Sequence, residues 1–243
     1  MSDIVTGRNP VAEALKAGRP INKVLVDKNA RNDTIEEIIK TARQRKVPVD
    51  FVERYVLDRL APEAKNQGVM AYTSSKAYAS LEDLIAIAAE KNETPFYLIL
   101  DGIEDPQNLG AILRTAEAAG AHGVIVRSRR AVGLTPSVAK ASAGAIEYVP
   151  IARVGNISQA VDELKKHSIW VIGIDMRGEV DYTKVNFKLP TAIVIGSEGK
   201  GLSDLVRKRC DVTAFIPMKG KIGSLNASVA AAVVIYEALK QRS

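Results

Sequence analysis

The sequence predicts an α/β protein whose larger part is built on a parallel sheet, and three observations lead to this fold class. Strand-like runs such as Phe96–Asp101 and Thr191–Gly196 are apolar throughout, which indicates strands that are covered on both faces. These runs alternate with helical patterns, as expected for a parallel sheet. The length of 243 residues and the hydrophobic fraction of 47% allow one large domain or two small ones.

Residues 1–75 predict a compact α/β unit. Helices are expected at 11–18 and 33–46, and strands at 23–27, 48–52 and 68–72. The first helix ends at Gly18, a favoured residue just after a helix. The second follows an aspartate cap and carries an apolar stripe that includes Ile35 and Ile38.

The next stretch, residues 76–95, is interpreted as a linker that is partly helical and ends at the breaker Thr94-Pro95. Beyond it the expected strands are FYLILD, GVIV, YVPI, IWVIGID, TAIVIG and TAFIP, and the expected helices are NLGAILRTAEAAG, SVAKASAGA, ISQAVDELKKH and the run from Leu225 to Leu239. The predicted division is therefore 1–75, 76–95 and 96–243.

Composition limits the partners and the compartment. The net charge of +6 favours an acidic partner such as RNA, DNA or an anionic membrane, although a generally solvated surface explains it equally well. A single cysteine excludes an internal disulfide, and with only two histidines a structural His/Cys metal site is excluded. No apolar leader is present and no apolar run approaches the ~20 residues that cross a bilayer, so we expect a cytoplasmic protein.

Three junctions between a strand and the following loop stand out, because ligands of parallel sheets bind at the carboxyl ends of strands. They lie at residues 100–120, 193–203 and 215–230. In the first, Asp105-Pro106 predicts a helix start, and Gly110, Arg114 and Glu117 then share one helical face. The guanidinium group of Arg114 suits a phosphate, but an exposed Arg–Glu pair explains the same spacing.

The second and third junctions are rich in glycine and small polar residues. The second matches neither the P-loop nor the GxGxxG spacing and is compatible with a structural turn, yet Glu198 adds an acidic group that such a turn does not need. The third runs from Lys219 into the predicted C-terminal helix, where Ser224 and Asn226 are both good helix caps. That helix is apolar or small almost all round, which predicts burial on more than one side.

Together the three junctions resemble the three sequence motifs of the SpoU (TrmH) family of RNA ribose 2′-O-methyltransferases. The matching stretches are DPQNLGAILRTA, IGSEGKGL and IPMKGKIGSLNASVA. The N-terminal stretches GRNPVAEAL and NQGVMAY resemble the substrate-binding domain, related to ribosomal protein L30e, of the ribosomal-RNA branch of this family. That branch includes the RlmB-type enzymes, which methylate a guanosine in 23S rRNA, so the resemblance implies this activity, with tRNA or another rRNA position as alternatives.

The resemblance also implies a fold, a cofactor and an assembly. The fold is a SPOUT domain with a deep trefoil knot, and the protein is a homodimer with both active sites near the interface. S-adenosylmethionine is the implied cofactor, and no metal is needed. The residues implied to contact it are Gly196, Glu198, Gly201, Ile216, Met218, Ser224 and Leu225.

The family's catalytic positions are matched by Asn108, Arg114, Glu198, Ser224 and Asn226. Because a guanidinium group stays protonated at neutral pH, Arg114 is expected to clamp the target phosphate and stabilise the developing alkoxide. Glu198 and Ser224 are expected to orient hydrogen-bond donors, and Cys210 has no expected catalytic role. Changing Gly196 to a bulky residue is expected to weaken cofactor binding.

Basic residues are expected to hold the RNA, because phosphate neutralisation supplies most RNA affinity. Besides Arg114, the candidates are Arg8, Arg127, Arg129, Arg130, Lys140, Lys219 and Lys221, with Arg43 and Arg45 also basic in the N-terminal unit. Two other readings remain: a non-catalytic RNA-binding protein, and a dinucleotide enzyme, which the missing glycine fingerprint disfavours.

Overall fold

The computed structural model describes residues 3–62, 65–73, 76–129, 131–199, 201–221 and 223–243. The chain forms two compact units. The first comprises Met1–Ala77 with Gly133–Tyr148, and the second comprises Tyr78–Val132 with Val149–Ser243. This division differs from the predicted linker at 76–95, because the helix in that stretch buries Leu84 and Ala88 completely in the core of the second unit.

The described elements follow the alternation that the sequence predicts. The strands are β1 (Asp3–Thr6), β2 (Ile21–Asp27), β3 (Val49–Val52), β4 (Val69–Thr73), β5 (Phe96–Asp101), β6 (Gly123–Arg127), β7 (Ile151–Val154), β8 (Trp170–Ile174), β9 (Val180–Asp181), β10 (Thr191–Gly196) and β11 (Val212–Phe215). The α-helices are α1 (Arg8–Lys16), α2 (Asp33–Gln44), α3 (Arg54–Leu60), α4 (Leu81–Glu90), α5 (Pro106–Ala118), α6 (Pro136–Ala141), α7 (Ile157–Lys166), α8 (Asp204–Arg209) and α9 (Ala227–Arg242).

The first unit has a mixed sheet in the order β1-β4-β2-β3, counted over its described residues, with only the β2–β3 pair parallel. Side chains alternate between the two faces of β2. Val24 and Val26 pack with residues of α1 and α2, whereas Leu25 packs with Leu57 of α3 and with Met70. Helices therefore cover both faces of this small sheet.

The second unit has a sheet of seven described strands in the order β7-β6-β5-β10-β8-β11-β9, all paired in parallel. The predicted fold class is confirmed. In register, Gly196 of β10 lies beside Asp101 of β5, and Ile195 lies beside Ile174 of β8. The three central strands therefore end together, at the edge where parallel sheets bind ligands.

Several predicted boundaries were wrong for local reasons. The C-terminal helix begins at Ala227 rather than Leu225, because Asn226 is its cap. The helix expected at 137–145 stops at Ala141, ahead of two residues with positive φ, Ala143 and Gly144. Helix α2 is capped by Asn32, whose side chain accepts from the Thr34 amide at 2.9 Å, and not by the aspartate after it. Among the described residues, no helix is long and apolar enough to cross a membrane.

Candidate active site

The three sequence junctions meet beyond the carboxyl ends of β5, β10 and β11. The point of contact is the carboxylate of Glu198, in the loop after β10. Its Oε1 atom accepts a hydrogen bond from Asn226 Nδ2 at 2.8 Å and another, short one from Asn108 Nδ2. One oxygen atom thus joins side chains from all three predicted motifs.

Asn226 has two tasks at this point. Its Oδ1 atom accepts from the amides of Ser228 at 2.9 Å and Val229 at 3.3 Å, which caps α9. Its amide nitrogen is then left to donate to Glu198. The capping expected of Asn226 is confirmed, whereas Ser224 lies before the cap and is exposed.

Asn108 is held in place by the start of α5. Asp105 is the N-cap and accepts from the amides of Gln107 and Asn108 at 3.1 and 3.3 Å, and Pro106 occupies the first turn. Asn108 itself is only 5% exposed. A buried side chain on a capped first turn has little freedom, so its donor points at Glu198 in a fixed direction.

A cleft of about 760 Å³, counting its open mouth, lies next to this contact. The residues expected to contact the cofactor all line it: Gly196, Glu198, Gly201, Ile216, Met218, Ser224 and Leu225. Apolar side chains beside exposed backbone suit a flat adenine ring with a polar edge, so the donor set fits S-adenosylmethionine.

The wall of the cleft formed by the loop after β10 depends on two glycines. Ser197 and Gly201 exchange backbone hydrogen bonds of 3.1 and 3.0 Å, which closes the loop on itself. A Cβ atom on Gly196 would lie 2.2 Å from the carbonyl carbon of Gly201. Gly201 has a φ of +65°, and a Cβ there would lie 2.8 Å from a carboxylate oxygen of Asp175. Larger residues at either position would push the loop away.

Asp175, at the end of β8, is a part of the site that sequence reasoning missed. Its carboxylate accepts from the Leu202 amide at 3.1 Å and binds the guanidinium group of Arg177 through 3.0 and 3.1 Å bonds. Burial acts to raise the pKa of Asp175, but these hydrogen bonds outweigh it and hold the pKa below its usual value. The cleft is lined by Asp175, Met176 and Arg177. The sequence signal that could have identified these residues is their position directly after an apolar strand, where parallel sheets bind ligands.

A second, more polar hollow adjoins the cleft. It is lined by Gly102, Ile103, Glu104, Asp105, Asn108, Ser197 and Glu198. Ser197 and Glu198 belong to both walls. The two spaces therefore meet at Glu198, an arrangement that can bring two ligands together.

Arg114 does not take part in the hydrogen bonds at Glu198. It is exposed on α5, six residues after Asn108, which places it about 9 Å further along the axis and about 120° around it. Glu117 is also exposed, whereas Gly110 is buried. The face expected to be shared by these residues is therefore only partly open.

The other basic candidates are dispersed. Arg127 lies 3.9 Å from the buried carboxylate of Asp101, and Arg129, Lys219 and Lys221 are exposed in the second unit. Lys140 is exposed and belongs to the first unit. Arg130 lies outside the described residues.

In the first unit, two basic candidates make structural contacts. Arg8 donates from Nε to the Gln67 carbonyl at 3.1 Å, and Arg45 donates to the Leu15 carbonyl. Each ties neighbouring segments of the unit together. Arg43 is exposed.

Metal ligands and a reactive thiol do not contribute to the described site. Over the residues that the structure describes, no group of three His, Cys, Asp or Glu side chains is placed to hold a metal ion. Burial raises the pKa of the Cys210 thiol to about 12, so it is protonated at neutral pH.

Comparison with protein families gives two matches that together span most of the chain. Residues 95–236 match the SpoU rRNA Methylase family, and residues 4–79 match the family described as RNA 2′-O ribose methyltransferase substrate binding. A protein of Bacillus subtilis (strain 168), YacO, named as a TrmH family tRNA/rRNA methyltransferase, is 46% identical over 99% of this chain and 96% of its own length.

Solved structures are similar over the same span. The SpoU methyltransferase AviRb from Streptomyces viridochromogenes, solved with AdoMet, has a TM-score of 0.84 and 30% identity over 99% of this chain and 90% of its own. An AdoMet-bound rRNA methyltransferase from Sinorhizobium meliloti has a TM-score of 0.81 and 26% identity, covering 98% and 87%. A structure described in terms of 2-OH methylation of C/U34 on tRNA has 29% identity and a TM-score of 0.56, covering 61% of this chain and 96% of its own.

Proposed function

We propose that this chain, which belongs to the SpoU rRNA methylase family, methylates the ribose 2′-hydroxyl of a guanosine in 23S rRNA. Its wider class follows from the family: it is an RNA 2′-O-ribose methyltransferase that uses S-adenosylmethionine. When bound, the cofactor supplies an electrophilic methyl group on its sulfonium. The observation that carries the proposal is the contact of the cleft with the polar hollow at Glu198.

The cleft is proposed to hold the cofactor and the hollow to receive the ribose of the target nucleotide. Methyl transfer needs the acceptor oxygen in line with the transferred methyl group and a site that excludes water. Asn108 and Asn226 fix the Glu198 carboxylate between the two spaces. In return, the Glu198 carboxylate orients the side-chain amides of Asn108 and Asn226, which donate to it. Ser224 lines the wall of the cleft.

Arg114 is proposed to clamp the target phosphate and to stabilise the developing alkoxide. Its exposure on α5 leaves the guanidinium group available to RNA. A guanidinium group is a poor base at neutral pH, so the hydroxyl proton passes either to the phosphate itself or to Arg114 after a brief deprotonation. Arg127, Arg129, Lys219 and Lys221 add cationic charge on the same unit.

A homodimer is the proposed assembly, and α9 supplies the support for it. One face of α9 packs against α5 and β10 and buries Val234 and Ile235 completely. A second apolar face is open, with Val229 48% and Tyr236 53% exposed two helical turns apart. Exposed apolar residues that share one face of a helix are compatible with a protein interface.

Ribosomal RNA is favoured over tRNA by the coverage of the solved relatives. The rRNA methyltransferase from Sinorhizobium meliloti matches 98% of this chain, including its N-terminal unit, whereas the structure connected with tRNA C/U34 matches 61%. The N-terminal unit also favours 23S rRNA, and the resemblance to RlmB-type enzymes favours guanosine. The name of the Bacillus subtilis relative covers tRNA and rRNA together, so both substrates belong in the test.

The test is methyl transfer from radiolabelled S-adenosylmethionine to unmodified 23S rRNA and to unmodified tRNA transcripts in parallel. We expect label in 23S rRNA at a single guanosine, mapped by resistance of the following bond to alkali. Label in tRNA alone would contradict the rRNA assignment. Label on the ribose of an adenosine, cytidine or uridine would contradict the choice of guanosine.

A further inference from the structure

A groove on the first unit carries features that the candidate active site does not use. It lies between α2, the loop before α2 and the edge strand β3, and is called here the α2–β3 groove. Its cationic residues are Lys28, Arg31, Lys40 and Arg43, and its apolar wall includes Ile39 and Phe51. All of these residues belong to the first unit.

The cations of this groove are largely unneutralised. Lys28 forms an ion pair of 3.1 Å with Glu53. Within the described part of the chain, Arg31, Lys40 and Arg43 have no carboxylate within ion-pair distance, and one carboxylate, Glu36, lines the groove. Three exposed cations close together, facing a single acid, favour an anionic ligand.

Phe51 gives the groove a second, chemically different feature. It projects from β3 with 47% of its surface exposed, although the paired strand β2 buries Val24, Leu25 and Val26. An exposed aromatic ring beside cations matches the way in which proteins bind single-stranded nucleic acid, where bases stack on the ring and phosphates pair with the cations.

We propose that the α2–β3 groove binds an unpaired nucleotide of the RNA substrate, with Phe51 stacked on the base and with Arg31, Lys40 and Arg43 on the flanking phosphates. This inference rests on the proposed function, since it names a contact that the first unit makes with the same substrate. The inference also divides the basic residues of the first unit into those with structural contacts and those available to RNA. Arg8 and Arg45 are tied to backbone carbonyls, whereas Arg43 is free to meet RNA.

The two kinds of contact leave different signatures in binding experiments. Losing a phosphate contact reduces the dependence of log Kd on log salt by about 0.7 for single strands. Losing a stacked base weakens binding about 5- to 150-fold without changing that slope. The aromatic residue and the cations can therefore be tested separately.

The experiment measures binding and methylation of the unmodified 23S rRNA transcript between about 50 and 200 mM salt. If the wild type methylates only tRNA, the unmodified tRNA transcripts are used in place of the 23S rRNA transcript. The variants are Phe51→Ala, Phe51→Tyr and Arg43→Ala. Arg59→Ala is the matched control, because α3 packs on the opposite face of the sheet from α2 and Arg59 is also exposed. Circular dichroism checks that each variant is folded.

We expect Phe51→Ala to weaken binding with an unchanged salt slope, Phe51→Tyr to restore it, and Arg43→Ala to lower the slope. Wild-type affinity in Phe51→Ala, or equal effects of Arg43→Ala and Arg59→Ala, would overturn the inference. If the wild type binds RNA but transfers no methyl group, the proposed function fails while the groove result stands by itself.

Discussion

A single carboxylate oxygen connects the candidate site at the scale of residues. Oε1 of Glu198 accepts from Asn226, 28 positions away, and from Asn108, 90 positions away. The residue types and the Asp105-Pro106 helix start could be predicted from the sequence, because capping is local. The shared oxygen could not, since it depends on which strands become neighbours in the sheet. For the same reason Asp175 was missed.

Asn226→Asp tests whether the contact with Glu198 matters apart from the helix cap. The new carboxylate keeps the oxygen that caps α9, but it replaces the donor to Glu198 with a negative charge. We expect the melting temperature to stay close to wild type and methyl transfer to fall on the order of 100-fold, as displaced catalytic groups do.

Asn226→Ala is the matched comparison, since it also loses the cap and should cost about 1 kcal/mol of stability. Thermal unfolding and single-turnover transfer separate the two effects. Undiminished transfer in Asn226→Asp would show that the Glu198 contact has no catalytic consequence.

Arg114→Ala tests the proposed clamp. Arg114 lies away from the cleft wall, so its removal should abolish methylation while calorimetry finds S-adenosylmethionine bound nearly as in the wild type. Lys208→Ala, which removes an exposed cation from α8, serves as the control and should stay active. Loss of cofactor binding in Arg114→Ala would contradict the assignment.

At the scale of elements, the apolar strands β5, β8 and β10 and the helix α5 were predictable because their patterns are long and regular. The six-residue helix α8 was missed, as were β1 and α3, because short elements depend on tertiary packing for their stability. Contacts between distant residues also hold the start of β6. The buried His122 accepts from the Phe96 amide at 3.1 Å and contacts Glu93 at 3.0 Å.

This histidine predicts a pH dependence of stability. Burial lowers the pKa of His122 below its ordinary 6.5, an effect that Glu93 partly offsets. A depressed histidine pKa means that its contribution is complete above pH 6.5 and is lost as the pH falls through the folded value.

Urea unfolding from pH 7.5 downwards should therefore show the free energy of unfolding decrease below about pH 6.5, with a slope from this residue of at most about 1.4 kcal/mol per pH unit. His122→Gln should lack this component, and His167→Gln, at an exposed position, should retain it. Identical slopes in wild type and His122→Gln would refute the assignment.

At the scale of the whole molecule, the N-terminal unit and the parallel-sheet unit could both be predicted, but residues 133–148 group with the first unit although the sequence placed them in the second. Helix α6 packs there against β1, a strand that sequence patterns did not reveal. The trefoil knot and the relationship to ribosomal protein L30e stay predictions.

Val229→Glu tests the proposed dimer. A charge on the open apolar face of α9 should prevent association, so light scattering should give about half the mass of the wild type and methyl transfer should fall with it. Lys208→Glu on α8 changes charge at an exposed site outside that face and should leave the mass unaltered. A wild-type mass for Val229→Glu would place the interface elsewhere.

The most direct test of the central claim, that RNA ribose is methylated where the two spaces meet at Glu198, is single-turnover transfer from labelled S-adenosylmethionine by the wild type and by Glu198→Ala. The wild type should place the label on a 2′-oxygen, recovered as an alkali-resistant dinucleotide, and the folded variant should transfer it on the order of 100-fold more slowly. Label on a base, or wild-type rates in Glu198→Ala, would contradict the claim.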